Sequence, residues 1–516
     1  MPSPVTAHAR QIPDRPAVID DRPDGRVTTW TFAELNRQAN RLANALLALG
    51  VRPGDKVAWC GPNSPGIVRA VHALAKLDAT AVPLNYRLTA EEATFIVDNS
   101  DAAVIYADAE LAPLFARIRE ATPRVRHVLV FDGAPGPGML DADALMARAG
   151  DAEPTVEDSG THPTAMLYTS GTTGRPKGAV RHAVDPALVR PLLELVGHRP
   201  EDVYLTTGPL YHSGPLGYLG IAHRLGNAAV VQRKFDPEDW LRLVARYRVS
   251  MTFSAPAPIR LVCALPAEIK ARHDRTSMRR MIANAAPWPY ALKEAYMADF
   301  GEDSLWEVYG STELGVDTVL APVDQRRKPG SCGLPAPGVE IRLYGEDGAE
   351  VTAPNVPGEV FVRSASNFSA YHKAGEAFEA GRRGDFLTVG DIAYLDGEGY
   401  YYICDRKSDM IISGGMNVYP AEIEAALARH PAILESAVFG IPSEEWGESV
   451  HAVVVPRAGV TLGAEEVVAF ARQGLAGYKV PRSVSFAPEL PHTGSGKVLK
   501  RELREPFWRG RRARVS

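Results

Sequence analysis

Residues 168–178 read YTSGTTGRPKG and follow the apolar run 165–167. This stretch holds four Ser/Thr hydroxyls, three glycines and two cations within eleven residues. Glycine lets a backbone turn tightly and approach a ligand closely, and hydroxyls, backbone N–H groups and Lys or Arg are the groups that hold phosphate. The stretch therefore predicts a strand that runs into a polyphosphate-binding loop. It is not a Walker P-loop, because Lys177 is followed by Gly178 instead of Ser or Thr.

The bulk composition is typical of a soluble chain with more than one domain. A chain of 516 residues is too long for a single core, and its net charge of −5 argues against a nucleic-acid-binding protein. The four cysteines are far apart and form no CxxC pair, which favours a reducing cytoplasm over disulfides or a zinc site. We expect neither a signal peptide nor a membrane span, since no apolar run approaches ~20 residues.

Other enzyme classes are disfavoured because their sequence motifs do not occur where they could function. We find no HExxH, GxSxG or GxGxxG that could function. A metalloprotease, an α/β-hydrolase and a Rossmann dehydrogenase are therefore disfavoured.

Hydrophobic periodicity predicts alternating helices and strands in the first part of the chain. A helix is expected over residues 32–49, with Thr31 and Glu34 as a capping box and Gly50 as the C-terminal cap. Strand-like runs at 56–59, 80–83, 103–107 and 128–131 alternate with helical stretches, which is the α/β pattern. Residues 132–159 are rich in Gly, Pro and acid and are predicted to form a surface connection.

A change in composition near residue 405 predicts a second domain. A strand-like run at 400–404 ends in the charged residues 405–409, and Pro420 then stands at the first position of a new helix. The last ~110 residues are enough for a small α+β domain. We predict an N-terminal domain over residues 1–405, a C-terminal domain over 406–516 and a hinge near 405–409.

Four further motifs carry chemical groups that suit a nucleotide. They are YGSTE at 309–313, VGD at 389–391, SGGMNVYP at 413–420 and PHTGSGK at 491–497. A hydroxyl beside a carboxylate, as in Thr312 and Glu313, suits Mg²⁺ bound to phosphate. Asp391 offers two oxygens to neighbouring hydroxyls, and Lys497 in a glycine-rich loop is a mobile point charge.

These five motifs, in this order, resemble those of the adenylate-forming superfamily, which includes acyl-CoA synthetases, peptide-synthetase adenylation domains and beetle luciferases. The resemblance runs from about residue 31 to residue 501. It implies an α/β fold with a large N-terminal domain of β-sheets packed with helices and a small, mobile C-terminal α+β domain. It also implies ATP, Mg²⁺ and coenzyme A, with a small-molecule carboxylic acid as substrate. The acid would attack the α-phosphate of ATP, and the small domain would then rotate so that CoA takes the acyl group.

The resemblance also assigns roles to individual residues. Lys497 would bridge the attacking carboxylate and the α-phosphate, Glu313 would hold Mg²⁺, Thr312 would touch the α-phosphate and His212 would gate the substrate carboxylate. The polyphosphate would lie against Thr169, Ser170, Gly171, Thr172, Thr173, Gly174 and Lys177, with Tyr309 on adenine and Asp391 and Arg406 on the ribose. Gly414 and Gly415 would admit the pantetheine chain of CoA. Val389 and Ser408 depart from the usual Thr and from the usual hinge Asp or Lys.

The acyl pocket is expected, by the same resemblance, at residues 209–214, 283–287 and 307–310. Its predicted wall includes His212, Asn284, Ala285, Ala286 and Gly310, which are mostly small or apolar and suit an apolar ligand. A bulky aromatic closes the pocket of acetate-activating relatives at the position of Gly310, so glycine predicts a deeper pocket. Asn284 and Ala285 replace a common Gly-Gly pair and favour a ring or a polar substituent.

The predicted substrate is a medium- or long-chain fatty acid or a bulky apolar carboxylate such as a steroid or bile acid, with an aryl acid next. An acyl-AMP ligase that loads an acyl-carrier protein stays open, since its first step is the same. A catalytically silent acyl or nucleotide sensor is disfavoured because Lys497, Glu313 and Asp391 are all present. The aromatic and basic tail at 506–514 suggests weak membrane-surface contact. The oligomeric state, monomer or homodimer, stays open.

Overall fold

The computed structural model describes residues 3–156, 162–169, 175–492 and 498–509. Its strands are β1 Pro16–Asp21, β2 Val27–Thr31, β3 Lys56–Cys60, β4 Thr80–Leu84, β5 Val104–Asp108, β6 His127–Phe131, β7 Leu140–Asp141, β8 Ala165–Thr169, β9 Lys177–Arg181, β10 Val203–Thr206, β11 Ala228–Val230, β12 Met251–Ser254, β13 Arg280–Ala283, β14 Leu305–Ser311, β15 Gly315–Leu320, β16 Leu334–Pro335, β17 Glu340–Tyr344, β18 Gly358–Arg363, β19 Ala370–His372, β20 Arg382–Arg383, β21 Phe386–Leu387, β22 Asp391–Leu395, β23 Tyr401–Arg406, β24 Ile411–Ser413, β25 Met416–Val418, β26 Ile433–Ser443, β27 Gly447–Pro456 and β28 Ser483–Phe486.

The α-helices of the same described residues lie between these strands. They are α1 Pro4–Gln11, α2 Phe32–Ala48, α3 Pro65–Lys76, α4 Ala90–Asn99, α5 Ala112–Ile118, α6 Ala142–Arg148, α7 Pro186–Val196, α8 Ser213–Arg224, α9 Pro237–Tyr247, α10 Pro256–Cys263, α11 Ala267–Lys270, α12 Tyr290–Phe300, α13 Gly375–Ala380, α14 Pro420–Leu427, α15 Ala464–Gly474 and α16 Lys500–Trp508. None of the helices described is long and apolar enough to cross a membrane.

Two large sheets form the body of the N-terminal region. Sheet A has the strand order β16-β15-β14-β13-β12-β10-β11-β1-β2, and sheet B the order β19-β9-β8-β4-β3-β5-β6-β7. Both are parallel at their centres; sheet A is antiparallel at both ends, and sheet B only at the end formed by β8, β9 and β19. One buried cluster, with Leu42 of α2, Leu74 of α3 and Leu219 of α8, packs helices against both sheets. Parallel strands buried on both faces are typical of an α/β fold, which confirms the predicted fold class.

Two smaller sheets follow along the chain. In sheet C, β20, β21, β18, β22 and β23 are neighbours and β17 pairs with β18. In sheet D, β25, β24, β27 and β26 are neighbours and β28 pairs with β27. Sheet D, α14 and α15 have a buried cluster of their own, which includes Ile423, Leu427 and Val454. The small α+β unit expected after residue 405 is therefore present, and its exact boundary stays a prediction.

Local signals correctly predicted the helices and strands at the following positions. Helix α2 begins at Phe32 because Thr31 and Glu34 form the capping box that the sequence predicts, and Gly50 follows the helix with a φ of 84°. The strands predicted near residues 56, 80, 103 and 128 appear as β3, β4, β5 and β6. Pro420 occupies the first turn of α14, as predicted.

The prediction for residues 132–159 was wrong in part, because they include an ordered helix. Strand β7 pairs with β6, and α6 begins after Asp141, whose carboxylate accepts a hydrogen bond from the Ala144 backbone N–H. Met146 of α6 is buried. The sequence prediction missed this short helix because the segment is rich in Gly, Pro and acidic residues. The helix is stabilised by its N-terminal cap and by packing.

The described part of the C-terminal tail is helical and packs on sheet D. Residues 500–508 form α16, in which the indole N–H of Trp508 donates to the carbonyl of Gly440 at 3.1 Å. The ring of Phe507 lies 4.9 Å from that of His451. Both aromatic residues thus pack on sheet D, and the membrane contact suggested by the tail stays a prediction. Residues 510–516 lie outside the described part of the chain.

Candidate active site

Glu313 accepts hydrogen bonds from side chains of two strands, β8 and β19. The hydroxyl of Thr169, at the end of β8, donates to Glu313 Oε1 at 2.8 Å, and the hydroxyl of Tyr371, in β19, donates to the same oxygen at 3.1 Å. The turn after β14 carries Glu313 itself, which is 7% exposed. This arrangement joins the YTSGTTGRPKG stretch to the YGSTE motif, as their shared chemistry predicts.

The backbone around Glu313 is held in place by partners from sheet B. Arg181 Nη1 donates to the carbonyl of Thr312 at 2.8 Å and to that of Glu313 at 3.3 Å. The Thr312 hydroxyl lies 2.9 Å from that of Ser213, at the start of α8. Burial lowers the pKa of Arg181, and the Glu313 and Asp317 carboxylates act in the opposite direction. The orientation of Thr312 and Glu313 is therefore set by fixed hydrogen bonds.

Asp391 forms a second polar cluster with Tyr309 and Arg406. The Tyr309 hydroxyl donates to Asp391 Oδ2 at 2.7 Å, and Arg406 Nε lies 3.2 Å from Asp391 Oδ1. Burial raises the pKa of Tyr309 well above its usual value, and the carboxylates of Asp391 and Asp317 add to the effect. Each oxygen of Asp391 has one partner, so the carboxylate keeps acceptor sites for the hydroxyls of a ribose.

Several predicted nucleotide residues cannot be placed. Ser170, Gly171, Thr172, Thr173 and Gly174 lie outside the described residues, as does Lys497. The flanking residues are described: Thr169 and Lys177 are opposite each other in the β8–β9 pair. Lys177 Nζ lies 5.5 Å from the centre of the Tyr371 ring, so the lysine of this stretch lies beside the Glu313 cluster.

Lys177 also lines a basic cavity. It has a volume of about 330 Å³ and is lined by Arg175, Lys177, His372 and Lys373, together with Phe95 and Asn99. The Asp101 carboxylate holds Lys373 at 2.7 Å and His372 at 3.1 Å. An excess of cations in a cavity suits a ligand that bears phosphate.

Two of the three segments expected to form the acyl pocket, 283–287 and 307–310, contact each other directly. The amide of Asn284, which follows β13, donates to the carbonyl of Val308 in β14. Phe253 of β12 packs against Gly214, where an added Cβ would collide with the ring. Glu307 forms a buried ion pair with Lys293, and burial raises its pKa while Lys293 opposes the rise. Glu307, the one acidic residue in the three expected segments, is therefore paired with a cation.

Aromatic rings supply much of this region. The rings of Tyr218 and Phe253 are 5.3 Å apart, those of Tyr211 and His212 are 4.3 Å apart, and Tyr86 packs edge-on against Tyr211 at 5.6 Å. His212 lies at the N-terminus of α8, one residue before Ser213. His212 is therefore close to the Thr312 contact, as a gate near the substrate carboxylate would be.

Gly310 has a structural reason that is independent of any substrate. A Cβ at Gly310 would collide with the backbone carbonyl of Gly315 in β15. Glycine is required there because the two strands of the hairpin approach closely at a bulge, where the pairing shifts between Tyr309 and Gly310. The glycine is therefore explained without a substrate, and the depth of the acyl pocket stays a prediction.

Asn284 also has a structural reason. Its amide oxygen accepts from the Ala285 backbone N–H and its amide nitrogen donates to Val308, so both groups already have protein partners. Ala285 has a φ of 71°, a region that favours glycine, and Ala286 follows it. Asn284 thus fixes the β13–β14 edge, which explains the residue without a substrate, and its contact with a substituent stays a prediction.

Gly414 and Gly415 have an evident local role. They connect β24 to β25 with φ values of 59° and 78°, and a Cβ at Gly414 would press on the Trp446 ring. Positive φ at both positions is what a two-residue hairpin turn requires. Their proposed contact with CoA stays a prediction.

Sequence reasoning missed three residues of this site: Arg181, Asp317 and Tyr371. Arg181 ends the strand that begins at Lys177, after the small and apolar residues 178–180, and Asp317 interrupts the apolar run of β15. A charged residue in a run predicted to be buried is a usable signal of function. Tyr371 carried no comparable signal.

Known proteins share this architecture along nearly the whole chain. The sequence model described as AMP-binding enzyme matches residues 5–372, and that described as AMP-binding enzyme C-terminal domain matches residues 422–497. Feruloyl-CoA synthase from Amycolatopsis sp is 37% identical over 484 residues, which cover 93% of this chain and 94% of that protein.

Two further similarities concern a fatty-acid enzyme and a solved structure. The long-chain-fatty-acid–CoA ligase FadD13 of Mycobacterium tuberculosis is 35% identical over 495 residues, 95% of each chain. The crystal structure of the anthranilate CoA ligase AuaEII in complex with anthranoyl-AMP matches with a TM-score of 0.89 and 27% identity, and covers 98% of this chain and 97% of that one.

Proposed function

The chain belongs to the family of AMP-binding enzymes, and we propose that it activates a carboxylic acid with a bulky, apolar ring system. It is an acid–thiol ligase that uses ATP, Mg²⁺ and CoA and makes an acyl-CoA through acyl-AMP. The Glu313 cluster supports the acid-activating step, because it joins a carboxylate and two hydroxyls beside the cation of Lys177.

In the proposed first step, a carboxylate oxygen of the acid attacks the α-phosphate and pyrophosphate leaves. Thr312 and the cations Lys177 and Lys497 would bind the phosphate oxygens, where negative charge builds up in the transition state. Preorganised groups of this kind act without reorganising during the reaction, and losing one typically costs ~10² to 10³ in rate. Asp391 and Arg406 would hold the ribose. In the second step, the CoA sulfur attacks the acyl carbonyl and AMP leaves.

The residues present suit Mg²⁺ bound mainly by phosphate. Magnesium prefers oxygen ligands and keeps several waters, so one or two carboxylates suffice. Glu313 offers a carboxylate beside the Thr169 hydroxyl. No group of three or more His, Cys, Asp or Glu able to hold a metal occurs among the residues described. Glu313 would hold the ion, which would neutralise phosphate charge.

An aromatic wall supports an acid with a ring system. Tyr211, Tyr218 and Phe253 lie around Gly214 and the start of α8. Aromatic rings prefer offset or edge-on contacts with other rings, worth about 0.5–1.5 kcal/mol beyond buried area. Feruloyl-CoA synthase and the anthranilate CoA ligase, whose names state aryl acids, point in the same direction.

A medium- or long-chain fatty acid is the second candidate. The similarity to the long-chain-fatty-acid–CoA ligase favours it at 35% identity over 95% of the chain. It has lost the support that we first drew from Gly310, since that glycine is explained by close strand packing.

The first experiment measures pyrophosphate release with ATP, Mg²⁺ and a panel of aryl, fused-ring and fatty acids, with and without CoA. We expect the ring-bearing acids to give the highest kcat/KM and a CoA thioester as the product. A preference for unbranched C12 to C18 acids would overturn the substrate proposal. Trapped acyl-AMP without thioester would indicate an acyl-carrier protein, and no release with any acid would indicate a silent sensor.

Lys497→Ala tests the proposed role of the lysine in the same assay. Pyrophosphate release should fall about 10²-fold to 10³-fold, whereas Lys234→Ala, which removes an exposed lysine paired with Glu110, should leave it unchanged. Equal activity of the two variants would contradict the mechanism.

A further inference from the structure

Glu435 links the C-terminal unit to the N-terminal body. Glu435 Oε1, in the edge strand β26, lies 3.5 Å from Arg260 Nη1 of α10 and 3.0 Å from His492 Nε2. An ionised carboxylate accepts only, so His492 Nε2 donates its hydrogen bond to this oxygen, with which Arg260 forms an ion pair. A single carboxylate thereby contacts a helix of the N-terminal region and the segment that precedes Lys497.

His492 is mechanically connected to both ends of that segment. It forms an antiparallel β-bridge with Val498, and the Leu499 backbone N–H donates to the carbonyl of Pro491 at 2.8 Å. Lys497 directly precedes Val498 in sequence. A group that fixes His492 therefore limits where the chain can carry Lys497.

Helix α10 gives this contact a rigid support. Ile259 and Val262 of α10 are fully buried, so the helix that carries Arg260 is anchored in the core of the N-terminal region. Arg260 is thus a fixed point from which the C-terminal unit can be held.

The contact is also easy to break. The side chains of Arg260, Glu435 and His492 are 34%, 19% and 31% exposed, and their neighbours Leu261 and Leu434 are 54% and 43% exposed. Partly exposed ion pairs are weak and screened by salt. A contact of this kind suits a unit that must dock for one step and leave for the next.

We propose that Glu435 is a positioning residue for the acid-activating step, in which it ties the Lys497 segment to Arg260 of α10. The proposal rests on the proposed role of Lys497. In the thioester-forming step Glu435 has no part, because the C-terminal unit would then have rotated away from α10.

The test separates the two half-reactions in the full-length protein. Acid-dependent ATP–pyrophosphate exchange reports the first, and thioester formation from supplied acyl-AMP and CoA reports the second, with the best acid of the panel. Glu435→Gln should lower exchange about 5-fold and leave thioester formation within about twofold. Arg260→Glu should lower exchange at least as much, and R260E combined with E435R should recover most of the loss.

Matched controls distinguish positioning from stability. Glu466→Gln removes the carboxylate of another Glu–His pair in the same unit, with His430 at 3.7 Å, and should leave both half-reactions unchanged. Unchanged exchange in Glu435→Gln and Arg260→Glu, or an equal loss in both half-reactions, would overturn the inference.

Lys497→Ala tells the two failures apart. If it abolishes exchange while Glu435→Gln does not change it, only the role of Glu435 is wrong. If Lys497→Ala itself leaves exchange unchanged, the proposed mechanism is wrong and the positioning role falls with it.

Discussion

Asp317 is a buried carboxyl at the junction of sheets A, B and C. It is fully buried in β15, and neither of its carboxylate oxygens has a hydrogen-bond partner among the described residues. Burial raises its pKa well above the usual value, Asp391 adds to the rise, and Arg181 opposes it. A buried carboxyl without partners is expected to keep its proton at neutral pH, since burying an unpaired charge costs several kcal/mol.

We predict that Asp317→Asn stabilises the protein at alkaline pH. The folded state holds the Asp317 proton after the unfolded chain has lost it near pH 3.8, so this stabilising contribution is complete only below that pH. It is lost as pH rises toward the raised folded pKa. Asn cannot ionise. The free energy of unfolding of the variant should therefore exceed that of the parent by about 1–3 kcal/mol at pH 8, and by less at pH 5.

Urea unfolding at several pH values measures this difference. Asp385→Asn, at an exposed turn, serves as the control and should show no comparable pH dependence. A variant less stable than the parent at pH 8 would mean that Asp317 is ionised and paired with Arg181 there.

At the scale of elements, several residues of the candidate site belong to the β14–β15 hairpin and its turn. Tyr309, Thr312 and Glu313 all belong to it or to its turn, and the bulge at Gly310 sets their relative orientation. A bulge bends a strand and redirects its side chains, and such bulges are common beside active sites. The chemistry of this hairpin therefore depends on a glycine that contacts no substrate.

We predict that Gly310→Ala destabilises the protein by about 1–3 kcal/mol and lowers kcat, because the new Cβ would push the Gly315 backbone away and move Thr312 and Glu313. Thermal unfolding and pyrophosphate release measure the two effects. The control is Gly220→Ala in α8, where an added Cβ meets nothing within 4 Å. It should raise stability by about 0.5–1 kcal/mol. Equal effects of the two variants would contradict the role assigned to Gly310.

At the scale of the whole molecule, the C-terminal unit has a core separate from that of the N-terminal body. Its apolar cluster runs from Ile411 to Val484, whereas contacts such as Arg260–Glu435, Asn417–Glu346 and Lys407–Glu359 are polar. Polar contacts between domains can be exchanged during motion. The proposed boundary near residues 405–409 divides these two cores.

We predict two calorimetric unfolding transitions, the smaller one from the C-terminal unit. Leu427→Ala in α14 should lower the free energy of unfolding in the smaller transition only, by about 2–5 kcal/mol. Leu74→Ala in α3 should lower it in the larger transition only. Both leucines are buried, so the pair is matched in chemistry and exposure. One cooperative transition, lowered by both variants, would contradict the two-domain proposal.

The sequence by itself determined the local elements and the family of motifs. Capping at Thr31, the proline at 420 and the alternation of apolar runs are local signals, because they depend on hydrogen bonds and periodicity within a few residues. The short helix α6 escaped them, since seven residues carry too little periodicity to outweigh a composition rich in Gly, Pro and acid.

Only the tertiary structure decided which side chains meet. Thr169, Glu313 and Tyr371 are separated by 144 and 58 residues and share one oxygen through strand pairing, and Arg260 reaches Glu435 across the two units. Gly310 has a different explanation in the structure for the same reason. The strand register, which no local pattern encodes, brings its backbone close to that of Gly315. Local physics specifies elements, and packing of distant elements specifies the site.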